Sequence, residues 1–385
     1  MIDIPLGYKQ TEVGVIPEDW QLRPMLSAVR VAHGQVDPKV EPYRSMILVA
    51  PDHIESRTGR LLKKETAEDQ RAISGKYFFE KGDIIYSKIR PYLRKAILAD
   101  FEGLCSADMY PLKPAPDVSG GFVFSAILGH HFSKYAESVS VRSGMPKINR
   151  AELAEYQIAL PPTQAEQEAI AAALSDADAL IESLEQLIAK KRQIKQGAMQ
   201  QLLTGKKRLP GFSERWEVKP LGALLTIAHG KSQFAVEDCN GTYPILATGG
   251  QIGLANRFLY DKPSVLIGRK GTIDRPQYME TPFWTVDTLF YSVIVEPNDP
   301  KFLFYRFCII DWKQHNEASG VPSLNARTIE RIEVNAPRVD EQRAIANLLS
   351  DIDIELSGIE VRLTKARQLK QGMMQQLLTG KIRFV

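Results

Sequence analysis

Two stretches of the chain carry apolar residues at steps of four and three. Between residues 341 and 381 the series runs Ile345, Leu349, Ile352, Leu356, Ile359, Leu363, Ala366, Met373 and Leu377, interrupted by Lys370. Between residues 166 and 206 it runs Ile170, Leu174, Ala177, Ile181, Leu184, Ile188, Ala198 and Leu202, interrupted by Lys191 and Lys195. This spacing draws an apolar stripe down one face of a helix, and its persistence over about five heptads predicts a coiled-coil seam. No proline falls inside either stretch. Pro162 and Pro337 stand just before them, and Thr204-Gly205 and Thr379-Gly380 supply the stop. A helix of about 38 residues is roughly 57 Å long, too long for an ordinary globular helix.

The two stretches are copies of each other. Residues 166–206 align without gaps on residues 341–381 at an offset of 175, with 24 of 41 positions identical. Both copies end in Met-Gln-Gln-Leu-Leu-Thr-Gly-Lys, at 199–206 and 374–381. Upstream, Ser143-Gly144-Met145-Pro146-Lys147-Ile148-Asn149 is similar to Ser319-Gly320-Val321-Pro322-Ser323-Leu324-Asn325, and Trp20 with Pro24 echoes Trp216 with Pro220. Charge is segregated along each copy. Glu166, Glu168, Asp176, Asp178, Glu182 and Glu185 precede Lys190, Lys191, Arg192 and Lys195; Glu341, Asp351, Asp353, Glu355 and Glu360 precede Arg362, Lys365, Arg367 and Lys370. Only Arg343 breaks the sign. The order suits the helix dipole. A parallel pair sets acid beside acid, whereas an antiparallel pair sets each acidic half against a basic one. An antiparallel intramolecular coiled coil with pseudo-twofold symmetry is therefore expected; two unrelated packings, or pairing between molecules, are the alternatives.

The pattern changes outside these stretches. Short apolar runs bounded by Gly, Pro and Asp predict strands at Met46–Ala50, Asp83–Ser87, Ala96–Ala99, Val265–Gly268 and Leu289–Val295. Helical stretches are fewer, as at Phe122–Tyr135 and Lys301–Lys313. The expected fold class is α+β: two mixed α/β globular domains, 1–160 and 211–337, joined by long helical segments at 161–210 and 338–385. The domains share a local pattern. Asp83-Ile84-Ile85-Tyr86-Ser87-Lys88-Ile89-Arg90 resembles Ser264-Val265-Leu266-Ile267-Gly268-Arg269-Lys270-Gly271, and Ser106-Ala107-Asp108-Met109-Tyr110 resembles Thr285-Val286-Asp287-Thr288-Leu289.

Composition bounds the function. The 385 residues admit two to three domains, and 44% apolar with 25% charged residues excludes wholesale disorder. No stretch approaches the ~20 apolar residues of a membrane span. The start of the chain has no basic-then-apolar signal pattern, so a cytoplasmic protein is expected. Cys105, Cys239 and Cys308 lie far apart, which fits a reducing compartment and offers no metal spacing. The net charge of +3 argues against a nucleic-acid partner at first sight. It is an average, however. Residues 1–160 carry 21 bases and 20 acids, and residues 211–337 carry 13 and 14, yet both hold acid-free basic loops. Lys88, Arg90, Arg94 and Lys95 lie beside Tyr86 and Tyr92; Arg142, Lys147 and Arg150 flank one Ser-Gly turn; Arg269, Lys270 and Arg275 form a like group, and Arg327 follows Ser323 and Asn325. Such residues can neutralise phosphates or read guanine, and Asn149 and Asn325 can read adenine or cap turns.

No complete catalytic constellation is legible. Leu160-Pro161-Pro162-Thr163 lacks the polar first residue and the aromatic of an amino-methylation loop. Thr248-Gly249-Gly250-Gln251-Ile252-Gly253 lacks a P-loop lysine and a following helix, so it reads as a turn. Asp37-Pro38-Lys39 and Asp299-Pro300-Lys301 are nuclease-like triplets but contain proline and read as turns, and His130-His131 has no metal spacing.

Taken in order, these features resemble the specificity (S) subunit of type I restriction–modification systems. The resemblance is carried by the opening Tyr8-Lys9-Gln10-Thr11-Glu12-Val13-Gly14-Val15-Ile16-Pro17-Glu18-Asp19-Trp20, the two Pro-x-(Ile/Leu)-Asn turns, the Glu166-Gln167 and Glu341-Gln342 helix starts, and the two Gln-Gln-Leu-Leu-Thr-Gly-Lys ends. It implies two target-recognition domains, each reading half of a split, asymmetric site in double-stranded DNA. The helices would set the spacing and dock two modification subunits, which bring S-adenosylmethionine; restriction subunits would add ATP- and Mg-dependent translocation and cleavage. No cofactor is expected in this chain itself. Gln196, Gln200, Gln201, Gln371, Gln375 and Gln376 are docking candidates, or simply soluble surface. A coiled-coil adaptor without sequence-specific DNA binding, or an autonomous methyltransferase or nuclease, is the competing reading.

Overall fold

The computed structural model describes residues 4–141 and 144–384. The two periodic stretches are continuous helices, Gln164–Leu202 and Val339–Leu377. Contacts divide the chain into two compact units, one of residues 1–185 with 361–385 and one of residues 186–360. Each unit thus contains one globular segment and a part of both long helices.

In unit 1 a four-stranded antiparallel sheet runs in the order Val29–Val31, Met109–Pro114, Ile84–Ser87, Ala96–Leu98. A smaller sheet pairs Gly103–Cys105 in parallel with Leu48–Val49 and antiparallel with Tyr77–Phe79. The expected helical stretch 122–135 is two helices, Gly120–Leu128 and His130–Val139. They part at Gly129, where a Cβ would meet Ala126 O at 2.9 Å and the Leu378 side chain at 3.3 Å. Trp20, Tyr86, Phe122 and Phe132 form the core with Ile170 and Leu174 from the first long helix and Leu377 from the second. Burial of each such side chain is worth about 1.5–3 kcal/mol.

Unit 2 repeats the topology of the larger sheet but not of the smaller one, whose central strand is the earlier of the parallel pair. Its sheet runs Leu225–His229, Leu289–Ile294, Ser264–Gly268, Gln277–Met279, and its smaller sheet pairs Tyr243–Ala247 in parallel with Trp284–Thr285 and antiparallel with Gly250–Ala255. The glycine-rich stretch is therefore the turn of a hairpin. The helix expected at 301–313 ends at Cys308, and a short turn of helix, Trp312–His315, follows. Asp299 is not a free turn residue: its side chain caps the helix Pro300–Cys308 at Phe302 N, 2.8 Å away.

The repeated Glu-Gln at each helix start is a lock. Gln167 accepts from Ser119 N at 2.8 Å and donates to Pro161 O at 3.2 Å; Gln342 accepts from Asp299 N at 2.9 Å and donates to Pro337 O at 3.0 Å. The neighbouring glutamates hold arginines. Glu341 accepts from Arg208 Nε and Nη2, both at 2.6 Å, and from Trp216 Nε1 at 2.9 Å. Glu166 accepts from Arg383, which also holds Asp19 through two bonds of 2.9 Å.

Within each unit the helix segments pair antiparallel, as the charge pattern requires. In unit 1 Lys370 meets Asp178 at 2.5 Å and Arg367 meets Glu185 at 2.7 Å. In unit 2 Lys191 meets Glu355 at 2.7 Å, Lys195 meets Asp353 at 2.5 Å and Arg192 meets Glu360 at 2.6 Å. The seam residues Ile181, Leu184, Ile188, Leu356, Ile359 and Leu363 are buried.

Candidate nucleic-acid interface

In each unit an inner strand of the larger sheet, Ile84–Ser87 or Ser264–Gly268, runs out into a basic loop, and that loop is stitched to the Pro-x-(Ile/Leu)-Asn turn. In unit 1 Arg90 N donates to Pro146 O at 2.8 Å and Ile148 N donates to Lys88 O at 2.9 Å. In unit 2 Gly271 N donates to Pro322 O at 2.8 Å and Leu324 N donates to Arg269 O at 2.9 Å. A third loop closes the rim, since Lys88 N donates to Asp108 O at 3.0 Å and Arg269 N to Thr288 O at 2.8 Å. The matching sequence patterns thus converge on one place in each unit, through backbone bonds that leave side chains free.

The backbone carries strain there. Arg90 and Arg94 have φ of 48° and 47° and flank the short turn Pro91–Leu93. Unit 2 places Gly271, φ 87°, where unit 1 has Arg90. A left-handed non-glycine residue costs roughly 1–2 kcal/mol. The Arg90 side chain is exposed at this turn.

Lys147, Lys270, Arg275 and Arg327 are also exposed, and Arg269 is half-buried with Nη1 3.3 Å from Asp287 O. Lys88 is half-buried over the Tyr110 ring at 5.3 Å. Ser323 is held by Asn316, whose side chain accepts from its N–H at 2.9 Å. Arg142 lies outside the described residues.

Four candidates take other roles. Asn149 Oδ1 accepts from Glu152 N at 2.9 Å, while Glu152 accepts from Asn149 N at 2.7 Å, a capping box. Asn325 Oδ1 likewise accepts from Arg327 N at 2.9 Å. Both acceptor oxygens are thus engaged at helix starts, the capping role that the sequence offered beside adenine reading. Arg94 turns away from the rim: it lines a cavity with Tyr156, His130, Gln371 and Gln375, and its Nε is sealed without a hydrogen-bond partner among the described residues. Lys95 Nζ donates to Pro51 O at 2.6 Å and braces a neighbouring loop.

Arg150 was legible only as a flank of the turn. It lies over the Tyr110 ring at 5.8 Å, donates to Ala32 O at 2.9 Å and stands 2.8 Å from His33 Nδ1. No local signal marks that pairing, because His33 and Tyr110 are distant in sequence.

Of the glutamines, 196, 200, 201, 371 and 375 are exposed and 376 is half-buried. The leucines beside them are the anchors: Leu202, Leu203 and Leu377 are buried, and Gly205 and Gly380 end the helices at φ 73° and 67°. Among the described residues, no cluster of His, Cys, Asp and Glu is arranged to hold a metal, and no helix is long and apolar enough to cross a membrane.

A family model described as type I restriction modification DNA specificity domain matches residues 55–194 and again residues 213–366. The type I restriction enzyme EcoDI specificity subunit of Escherichia coli is 36% identical over 163 residues, 42% of this chain and 36% of that protein. The match to it therefore spans about a third of that relative's length. The putative type I restriction enzyme MjaX specificity subunit of Methanocaldococcus jannaschii is 26% identical over 424 residues, covering 98% of this chain and 97% of the relative. Among solved structures, the S subunit of a type I restriction-modification system from M. genitalium superposes with a TM-score of 0.68 at 16% identity, over 93% of this chain and 96% of that one. The HsdS subunit from Thermoanaerobacter tengcongensis gives 0.50 at 17%, over 95% and 98%. At these identities the structures speak for the fold.

Proposed function

The chain belongs to the type I restriction modification DNA specificity family, and from that membership we propose that it is the non-catalytic DNA-recognition subunit of a type I restriction–modification complex. Each unit reads one half of a bipartite, asymmetric site in double-stranded DNA. The observation that carries this reading is the duplicated rim. Two globular segments that diverge elsewhere bring the same three loops together by equivalent backbone bonds, and both rims carry exposed cations that have no ion-pair partner among the described residues. The basic side chains suit phosphate contacts, which fix register and orientation without reading sequence. The long helices set the spacing between half-sites and dock the modification subunits, to which S-adenosylmethionine belongs; ATP and magnesium belong to the restriction subunits. Exposed apolar residues at heptad spacing on the first long helix, Leu180, Leu187 and Ile194 at 47%, 38% and 49% exposure, support a helical partner there. Near-neutral net charge fits weak nonspecific binding by the chain alone, with partner subunits adding phosphate contacts.

The test is methylome sequencing of cells that express this chain with its cognate modification subunit. A bipartite motif with an unspecified middle is expected. A continuous motif, or methylation without sequence preference as the adaptor reading requires, overturns the proposal. Methylation by the purified chain alone would overturn its non-catalytic assignment.

A further inference from the structure

The duplicated rim raises a question of information, because backbone bonds shared by both halves do not spell two different half-sites. The rim side chains differ in part, and the elements beside them differ more. In unit 2 that element is the hairpin of Tyr243–Ala247 and Gly250–Ala255. We propose that this hairpin is the base-reading element of unit 2 and that Gln251 is its reading side chain; the inference rests on the DNA-recognition reading above.

The hairpin is fixed against the rim. Val286 N donates to Leu246 O at 3.1 Å, and Gln277 Nε2 donates to Ala247 O at 3.0 Å. At its tip, the Thr248 side chain lies 3.1 Å from where a Cβ on Gly268 would stand and 3.9 Å from that of Gly271. Gly268 and Gly271 bracket Arg269 and Lys270, so the tip touches the basic loop itself. Unit 1 has a different element there, a longer excursion that returns through the antiparallel bridges Ile54–Leu61 and Ile47–Thr66 and not through a tight hairpin. There the chain leaves Leu48–Val49 for a short helical turn, Pro51–His53, whose first carbonyl is occupied by Lys95.

The tip is open on its outer side. A Cβ on Gly249 would meet nothing within 4 Å, and Gly250 turns the chain at φ 113°. Glycine at such a tip lets another backbone or a base edge approach closely. Gln251 is exposed, with one long bond, Nε2 to Gly253 O at 3.3 Å, and no hydrogen-bond partner for its amide oxygen among the described residues. The DNA major groove, about 12 Å wide, admits a two-stranded ribbon, and a glutamine amide pairs in two-point fashion with adenine N6 and N7. The phosphate-facing cations of the rim then hold the duplex while the hairpin enters the groove.

The experiment uses the chain co-expressed with its modification subunit. The motif found for the unaltered complex is rebuilt as a set of duplexes, each changed at one base pair. Gln251→Ala is expected to relax the preference at an adenine of one half-site by roughly ten- to hundredfold, leaving the other half-site unchanged. Gly249→Val adds bulk whose Cβ meets no protein atom within 4 Å. It should lower methylation of the unaltered site while the melting temperature stays the same. If both variants keep the full motif at unaltered strength, or lose rate equally on all duplexes with base preference intact, the hairpin does not read bases. Failure of the underlying reading is distinct, since the unaltered complex would then show no bipartite motif.

Discussion

Replacing Glu341 by alanine probes how the globular segment of unit 2 is held at the start of the second long helix. The Glu341 side chain is 3% exposed and takes three hydrogen bonds, two from Arg208 and one from the Trp216 indole. Breaking a fully buried pair costs about 3–5 kcal/mol. Arg208 retains 25% of its side-chain exposure, so water re-solvates part of the guanidinium. The Trp216 N–H loses its bond as well. We therefore expect a cost of about 2–3 kcal/mol, in the range for hydrogen bonds to a charged group. Native-state hydrogen exchange over residues 203–220 and 339–349 reads it directly. A loss of about 2 kcal/mol accelerates exchange through local opening by roughly thirtyfold. A double-mutant cycle with Arg208→Ala should give a coupling of about 1–2 kcal/mol. In unit 1 the equivalent Glu166→Ala leaves Arg383 two bonds to Asp19, so its effect on the corresponding segment should be smaller. Unchanged protection in Glu341→Ala, or strict additivity with Arg208→Ala, would refute the clasp as an energetic feature.

Two further outcomes separate charge effects from reading and from folding. Replacing Lys270, Arg275 and Arg327 together by alanine should weaken binding of the assembled complex to specific and nonspecific duplex alike. It should also flatten the slope of log K against log salt by about 2.7, or about 0.9 per lost phosphate contact; an unchanged slope removes these residues from the interface. In acid, unit 1 should weaken first at its carboxylate pairs. The Arg383 hydrogen bonds hold Asp19 below its ordinary 3.8, against the upward push of partial burial. Burial pushes Glu185 up, but the bonds from Arg60 and Arg367 outweigh it and leave it below its ordinary 4.5. A carboxyl lowered on folding stabilises fully above its ordinary value and loses that contribution as pH falls through its folded value. Melting temperature should therefore hold from pH 7 to about 5 and decline below about 4, with Asp19→Asn removing part of the decline. The pairs are partly exposed, so salt should shrink the effect.

The long helices and the duplication of the chain were determined by sequence alone. The apolar seam recurs every three to four residues, proline is excluded, and the polarised charges favour an antiparallel over a parallel partner; that the partners lie in one chain was settled by pairs such as Lys370–Asp178 and Lys195–Asp353. These are decisions among neighbours a few positions apart, or among charges summed along a face. The basic loops and the Ser-Gly turns were legible as clusters for the same reason. Their union was not. The bonds joining Arg90 to Pro146 and Gly271 to Pro322 exist only because strands distant in sequence pair first and carry the loops to the same edge. The use of each polar side chain was equally hidden. An asparagine before a helix has one composition whether it caps or reads, and Asn149 and Asn325 became caps because the N–H groups of Glu152 and Arg327 stand in reach. Arg94 shares its loop with Arg90, yet the turn between them sends its side chain inward. The glycine-rich stretch 248–253 was recognisable as a turn; its position against Gly268 and Gly271 came from the pairing of its strand with Trp284–Thr285. Tertiary structure decided these matters because a hydrogen-bond partner, a shielded face or an open tip is a property of surroundings that the assembled sheet alone supplies.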